Sequence, residues 1–567
     1  MGIQVLLTWQ LLVALALSVG WLVPVHYLPW TAFHHDAWVA GTLLVLCWAS
    51  FTKYHKSQPW PHVAIFIAIL CFIPLIQLFV GQVGLAGTAL LSSLYLLGLL
   101  LSILMGIRWQ TGSQHELADI LFTAFGIAAC VSTGVQLCQW LGVSDGCLCS
   151  LSWVLPHNDG QRIAANLLQP NQTATLLLLG ILAFSWAWLR KTMSGYCCSF
   201  AACFLIFGVA LTDSRTAMLS LLIVLLFTSY WRRMWPSRLA PYVVAILVLF
   251  LAAMVMLQGS FSQLLLLDYS STLLERNKGE TRWSLWLMFI QAALQQPWFG
   301  YGWNQTSVSQ VLAAFNQNSS ANSPPLLASY AHNLFIDLII WLGIPFGLLT
   351  SAAVLGWLGR AVKNVHDGEA ALLVFGIVIL GVHAMFEFPL YYAYFLLPFG
   401  LMVGMLEIRL QNRCVLVTSL RPVICLWVVC CVSFIAVAKD YFVIEQSYSL
   451  LRLDNARIAN KTPYEAPKVL VLTQLRDYIA LVRLQASSNM SQQSVDWVIS
   501  VTQVYPSQYN LLKLATVLAL NEQPLEAARW VMTLCNLYGV IECRRGQAEW
   551  IRLQNQLPQL AAVHWPE

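Results

Sequence analysis

Thirteen apolar stretches constrain this chain more than anything else in it. They lie near residues 4–24, 37–52, 62–80, 86–107, 119–143, 171–190, 197–213, 214–231, 240–258, 332–358, 369–387, 389–409 and 420–439. An apolar run of about 17–25 residues crosses the hydrocarbon core of a bilayer once as a helix. Backbone groups in lipid must be satisfied internally, so helices are the default for such runs. Only 10% of the 567 residues are charged, against about 25% in a soluble domain. The expected fold is therefore all-α: a polytopic membrane protein with about 13 transmembrane helices, whose first partner is the lipid bilayer. The N-terminal run MGIQVLLTWQLLVALALSVGWLV has no basic n-region and no small-residue cleavage site, so it reads as a retained span rather than a signal peptide. Leu6 stands where N-myristoylation wants Ser or Thr. No basic tract accompanies the net charge of +5, which argues against nucleic acid as a partner.

Lys and Arg in short loops mark the cytoplasmic side. Lys53, Lys56, Arg108, Arg190, Lys191, Arg232, Arg233, Arg238, Arg360, Lys363, Arg409, Arg413 and Arg421 all follow even-numbered spans, while the opposite short loops are nearly free of them. This puts the N-terminus in the cytoplasm and, after thirteen spans, the C-terminus outside. The chain then divides into residues 1–143 (N-terminal spans), 144–258 (an outside loop and central spans), 259–331 (a large outside loop), 332–439 (further spans) and 440–567. The last segment changes to amphipathic helices, and KLATVLALNEQPLEAARWV has the spacing of a TPR-like helix-turn-helix.

Most of the 15 cysteines lie within spans, where they serve as apolar packing. Four lie outside: Cys147, Cys149, Cys535 and Cys543. Outside a bacterial inner membrane the medium is oxidising. Cys535 and Cys543 can pair across a helix–helix turn, whereas a bridge between Cys147 and Cys149 would be strained. No Cys or His grouping has metal-ligand spacing, and no cofactor is expected.

Ionisable residues at the membrane edge are costly, which makes them functional candidates. Arg215, in LTDSRTAML, follows Asp213 by two. It either pairs with that acid, snorkels to the interface, or offers its planar fork to a phosphate. Arg282 opens the helix TRWSLWLMFIQAALQQ, two residues after Glu280. It either forms a local salt bridge or, on an amphipathic helix lying at the membrane surface, sits near lipid phosphates. The following PWFGYGWN is too weak a glycine pattern to indicate a nucleotide loop. His332 begins the tenth span beside Asn333, as an interfacial hydrogen-bonding residue or as a catalyst. His383 and Glu387 are four residues apart at the outside end of the eleventh span, on one helix face. They form a structural contact or orient an imidazole. Tyr391, Tyr392 and Tyr394 read as an interfacial belt. Two arginines, two histidines and a glutamate thus share the outside face. Cations for a head group, a general base and access from the bilayer are what a phosphate-bearing lipid substrate requires.

At these residues the chain resembles a known group. AHNLFIDLIIWLGIPFGLL and HAMFEFPLYYAYFLLPFGLMVG are similar to the Wzy_C region shared by O-antigen ligases, O-antigen polymerases and PglL-type protein O-oligosaccharyltransferases. AANLLQPNQTATLLLLG, residues 164–180, resembles the short signature of the PglL branch, as does the C-terminal tail. The resemblance spans about residues 150–560. It implies en bloc transfer of an oligosaccharide from undecaprenyl diphosphate to a Ser or Thr hydroxyl of a pilin-like periplasmic protein, by a multi-pass inner-membrane enzyme with its active site on the periplasmic face. The family's loop histidine matches His332, its diphosphate-gripping arginines match Arg215 and Arg282, and the signature's polar residues match Asn166, Gln169 and Asn171. Many relatives carry Glu in an ETG-like stretch where this chain has WLG with Trp341, so a role for that acid has no residue here.

The mechanism expected from this is direct, inverting displacement. His332 acts as general base, near its ordinary pKa of about 6.5. The two guanidiniums stabilise the departing diphosphate, so no divalent ion is required. Asn166, Gln169 and Asn171 hydrogen-bond sugar or diphosphate. His383 and Glu387 orient the site, and Asn333 either serves it or caps the tenth span. The main rival is a ligase or polymerase acting on a sugar acceptor. A flippase would show internal repeats and charges deep within spans, and a scaffold would use the TPR-like tail alone.

Overall fold

The computed structural model describes residues 2–53, 57–142, 153–156, 162–264, 282–316, 327–411, 414–458 and 465–565. Lys56, Cys147, Cys149, Glu280 and Arg413, named above, lie outside the described residues. In chain order the helices are α1 (Gly2–Val19), α2 (Phe33–Lys53), α3 (His62–Leu70), α4 (Ile73–Phe79), α5 (Ala86–Gly112), α6 (Glu116–Trp140) and α7 (Pro170–Leu189). Next come α8 (Gly195–Leu211), α9 (Arg215–Tyr230), α10 (Ala240–Leu264), α11 (Arg282–Gln295), α12 (Thr306–Phe315), α13 (Leu334–Leu342) and α14 (Ile344–Asn364). The rest are α15 (Gly368–Ala384), α16 (Ala393–Arg409), α17 (Arg421–Asn455), α18 (Thr473–Arg483), α19 (Gln492–Val504), α20 (Gln508–Leu520) and α21 (Pro524–Gln556). Among the described residues, seven segments are long and apolar enough to cross a membrane. The chain is a predominantly helical membrane protein.

Two of the apolar stretches are broken rather than continuous. The third splits at residues 71–72, where Pro74 enters the first turn of α4 and cannot continue an α-helical hydrogen-bond ladder. The tenth splits at Gly343, whose φ is +82°. The thirteenth is longer than the apolar run: α17 continues to Asn455, about 52 Å at 1.5 Å per residue. One short strand pair accompanies the helices among the described residues. β1 (Ser57–Pro61) pairs antiparallel with β2 (Cys414–Ser419), and the Trp60 indole donates to Thr418 Oγ1 at 2.9 Å.

The chain forms two compact units. The first comprises residues 1–68, 95–279 and 355–434; the second comprises 69–94, 280–354 and 435–567. In the first, α7 packs on α6, α8 and α15. One end of this bundle is cross-linked by charge. Arg409 meets Glu369 at 2.8 Å and Asp367 at 3.2 Å, Arg190 lies 3.6 Å from Asp119, and His115 Nδ1 lies 3.2 Å from Glu369. These residues sit at the start of α6 and α15 and at the end of α7 and α16, so one end of the bundle gathers them all.

In the second unit, α12 joins α19, α20 and α21 in one hydrophobic core containing Val311, Val498, Leu514 and Trp530. Phe315 stacks obliquely on Trp530 at 4.7 Å, beneath the Arg529 guanidinium, and the Asn536 amide donates to Ala314 O at 3.0 Å. The segment around residue 310 and the tail are therefore one packed body, although more than 180 residues separate them in sequence. Asp440 receives the backbone N–H groups of Leu470, Val471 and Leu472 at 2.6–3.1 Å and so fixes the entry to α18. Gly539 (φ +76°) divides α21 into two helical segments, and a disulfide joins Cys535 to Cys543 across it, with Cα atoms 4.6 Å apart.

Candidate active site

The predicted residues fall in two groups, one in each unit. In the first unit the 164–180 signature builds the start of α7. Gln169 is the N-cap, its side-chain Oε1 accepting from Gln172 N at 2.7 Å, and Pro170 follows at the first helical position. This is the residue order that favours a helix start. The Gln169 carboxamide nitrogen donates to Glu387 Oε2, and the Asn171 nitrogen donates to Glu387 Oε1 at 2.5 Å. The carboxylate thus sits at the N-terminal end of α7, where exposed N–H groups and the helix dipole favour an anion.

Glu387 lies just past α15, not within it; its N–H still bonds to His383 O at 2.9 Å. The four-residue spacing is kept, and His383 Nε2 stands 3.5 Å from Glu387 Oε2. His383 is fully buried, and its Nδ1 meets Thr175 Oγ1 at 2.8 Å. Gln169, Asn171, His383 and Glu387 therefore form one connected cluster.

Arg162 extends it to the turn that carries Arg215. Its guanidinium donates to Asn171 Oδ1 at 3.1 Å, to Thr212 O at 2.7 Å and to Asp213 O at 2.9 Å. Asp213 has φ +49°, and Ser214 caps α9 by accepting from Ala217 N, so that Arg215 is its first helical residue. Asn171 is engaged at both ends of its carboxamide, accepting from Arg162 and donating to Glu387. That fixes the orientation of the amide.

Asn166 does something different. It is 2% exposed, donates to Leu22 O at 2.9 Å and Trp153 O at 2.8 Å, and accepts from Leu155 N at 3.3 Å. It ties its own turn to two neighbouring segments. The tyrosines are not a belt throughout: Tyr394 is buried and donates to Gln172 Oε1 at 2.5 Å.

The second unit holds Arg282, His332 and Asn333. Asn333 is the N-cap of α13, accepting from Phe335 N at 3.1 Å and Ile336 N at 3.3 Å. His332 therefore lies before the helix rather than in it, half-buried, with φ +53°, a region that costs an L-residue free energy. Arg282 is the first residue of α11, and Trp286 is one turn on, on the same face. The Trp286 indole donates at 3.0 Å to the carbonyl of Ala331, the residue before His332. Arg282 and His332 are thus brought to one corner of this unit. One face of α11 exposes Trp283, Leu287, Ile290 and Leu294, while Leu285, Met288, Phe289 and Ala292 on the face opposite them are buried.

PWFGYGWN is a packing element. Tyr301 N donates to Ile340 O, and Ile344 N donates to Pro297 O, each at 2.7 Å, so the turn closes on the break between α13 and α14. Gln77 joins it, donating to Trp341 O at 2.9 Å and accepting from Trp303 N at 2.7 Å. Trp341 is buried and donates its indole N–H to Thr306 Oγ1 at 2.8 Å.

Sequence reasoning missed Arg162, Thr175, Thr306 and Asp337. Arg162 lies in a polar loop with no periodicity, and its partners are up to 51 residues away. Asp337 was the more visible signal: a lone acid inside an apolar run, where an unpaired charge would be costly.

The O-antigen ligase family pattern matches residues 200–351, and the family described as virulence factor membrane-bound polymerase, C-terminal, matches residues 370–550. The general O-oligosaccharyltransferase of Acinetobacter baylyi (strain ATCC 33305 / BD413 / ADP1) is 27% identical over 542 residues, covering 93% of this chain and 92% of that protein. The ComP-specific O-oligosaccharyltransferase of the same strain is 26% identical over 368 residues, 65% of either chain.

Proposed function

We propose that the chain, a glycosyltransferase similar over nearly its whole length to an O-oligosaccharyltransferase, is a PglL-type member of the O-antigen ligase superfamily and transfers an oligosaccharide en bloc from undecaprenyl diphosphate to a Ser or Thr hydroxyl of a pilin-like periplasmic protein. The observation that carries the assignment of the base is His332 itself. It is held in a left-handed conformation between a capped helix and the peptide anchored by Trp286, with Arg282 one helical turn before that anchor.

In this reading His332 takes the proton of the acceptor hydroxyl as the hydroxyl oxygen attacks the anomeric carbon. The bond from that carbon to the diphosphate oxygen breaks, and the anomeric centre inverts. The leaving diphosphate gains negative charge, and Arg215 and Arg282 stabilise it. Glu387, fixed by Gln169 and Asn171, orients sugar hydroxyls, and His383 backs it. The exposed apolar face of α11 lies in the membrane surface, which keeps Arg282 at the level of lipid phosphates. The even-exit loops face the cytoplasm, and the site faces the periplasm of a bacterial inner membrane. Similarity over nearly the whole length of an O-oligosaccharyltransferase favours a protein acceptor over the sugar acceptor of a ligase or polymerase.

The test is His332→Ala in protein that is still made and inserted. With a defined lipid-linked glycan and co-expressed acceptors, intact-mass analysis should show transfer falling by about 10²- to 10⁴-fold, the usual contribution of a general base. Transfer at the original rate sinks the assignment. A glycan found only on a sugar acceptor moves the chain to the ligase reading.

A further inference from the structure

We propose that Asp337 is the positioning residue for His332: a buried carboxylate that holds the left-handed conformation of the loop histidine by gripping the peptide in front of it. The proposal rests on the reading of His332 as the general base.

Asp337 is 1% exposed, in the first turn of α13, four residues after the N-cap. Its Oδ1 accepts from Ala331 N at 3.0 Å and from Thr306 Oγ1 at 2.7 Å. A carboxylate only accepts, so the Thr306 hydroxyl gives its proton to Asp337. The same hydroxyl oxygen accepts from the Trp341 indole N–H at 2.8 Å. The chain of donors runs from Trp341 through Thr306 to the carboxylate, with Ala331 N–H as a second donor.

The effect is to fix both polar groups of Ala331. Its N–H is held by Asp337 and its C=O by the Trp286 indole at 3.0 Å. On the other side of His332, the Asn333 side chain is committed to α13, and Asp337 N bonds to Asn333 O at 3.0 Å. The residues on either side of His332 are thus anchored, and the strained φ of +53° persists because its surroundings determine it. Without the carboxylate, Ala331 N–H would lose its buried acceptor, and residue 332 could relax toward an ordinary φ. The imidazole would then leave its bearing on the acceptor hydroxyl. Misplacing a catalytic group by about 1 Å costs on the order of 100-fold in rate.

The test compares Asp337→Leu, Asp337→Asn and His332→Ala in the full-length, membrane-inserted enzyme, with kcat and the donor KM measured separately. Asp337→Leu should lower kcat by about 10- to 100-fold, the range for losing hydrogen bonds to a charged group, with donor KM unchanged. Asp337→Asn should recover most of it, because its carbonyl oxygen accepts the same two donors. In a His332→Ala background, Asp337→Leu should remove nothing further, since it acts only through the histidine. If Asp337→Leu does not accumulate, Thr306→Val carries the test with a smaller loss of kcat in the same direction. Wild-type kcat in the Leu variant, or in Thr306→Val where Leu fails to accumulate, overturns the proposal while leaving the base assignment standing, provided His332→Ala is inactive. A further loss in the double variant overturns it too. Full activity of His332→Ala removes the base reading itself.

Discussion

The first unit has two polar ends on the same helices, and they are built from different side chains. α15 runs from Glu369 at one end to His383 at the other, about 21 Å at 1.5 Å per residue. α7 likewise runs from Asn171 to Leu189, beside Arg190. At the Arg190 end, acids and bases neutralise one another through contacts of Arg409, Arg190 and His115 with Glu369, Asp367 and Asp119. At the other end, the groups that touch Glu387 include the carboxamides of Gln169 and Asn171 and the His383 imidazole. Carboxamides that hold a carboxylate add no charge of their own. On the proposed reading, one end is a brace and the other is the set of groups that meets a polar ligand.

The comparison breaks if the two ends respond alike to substitution. The largest effect is expected for Glu387→Ala, which strips the acceptor from both Gln169 and Asn171. Transfer should fall by about 10²-fold, within the range for losing one preorganised polar contact to the transition state, and in vitro glycosylation of purified, inserted protein measures it. Next comes Arg162→Met. It removes three charge-assisted hydrogen bonds to Asn171 and the Arg215 turn, and should reduce kcat/KM for the lipid donor by about 10-fold. An unchanged value would mean that the turn carrying Arg215 needs no such support. The smallest effect on catalysis belongs to Arg409→Met at the opposite end. Activity per folded molecule should stay within about twofold, while the thermal midpoint falls by a few degrees, on the order of 1–2 kcal/mol. A large loss of kcat there, with stability intact, would erase the distinction between brace and site.

What could be read from the sequence followed from how local each signal is. The apolar runs report a continuous period and composition, so helices were legible. The breaks at residues 71–72 and 343 were not, because one glycine or proline hardly changes the hydropathy of a run of twenty. The pairing of β1 with β2 joins short segments more than 350 residues apart, with no local pattern to announce it. His383 and Glu387 were visible as a pair because helical spacing is local. The contacts of Glu387 with Gln169 and Asn171 bridge more than 200 residues, and only the resemblance to a family singled out those amides. Asn166 belongs to the same signature, yet its carboxamide meets backbone groups of two neighbouring segments, since neighbouring polar letters do not say which way each side chain faces. Cys535 and Cys543 were legible as a pair because eight residues and a turn suffice to bring them together.

The close approach of the PWFGYGWN turn to the helix break has a consequence for how this part of the chain can vary. A Cβ at Gly300 would lie 2.5 Å from Gly343 N, and one at Gly343 would collide with the Trp298 carbonyl group. Both glycines also have positive φ, +69° and +82°. Each is therefore forbidden a side chain by the backbone opposite, so a substitution at one cannot be relieved by a substitution at the other. Two segments about forty residues apart must be inherited together, and the segment leading out of α11 and the helix following His332 form a single heritable block. Divergence among sequences with this architecture should be free on the exposed face of α11 and frozen at this one crossing.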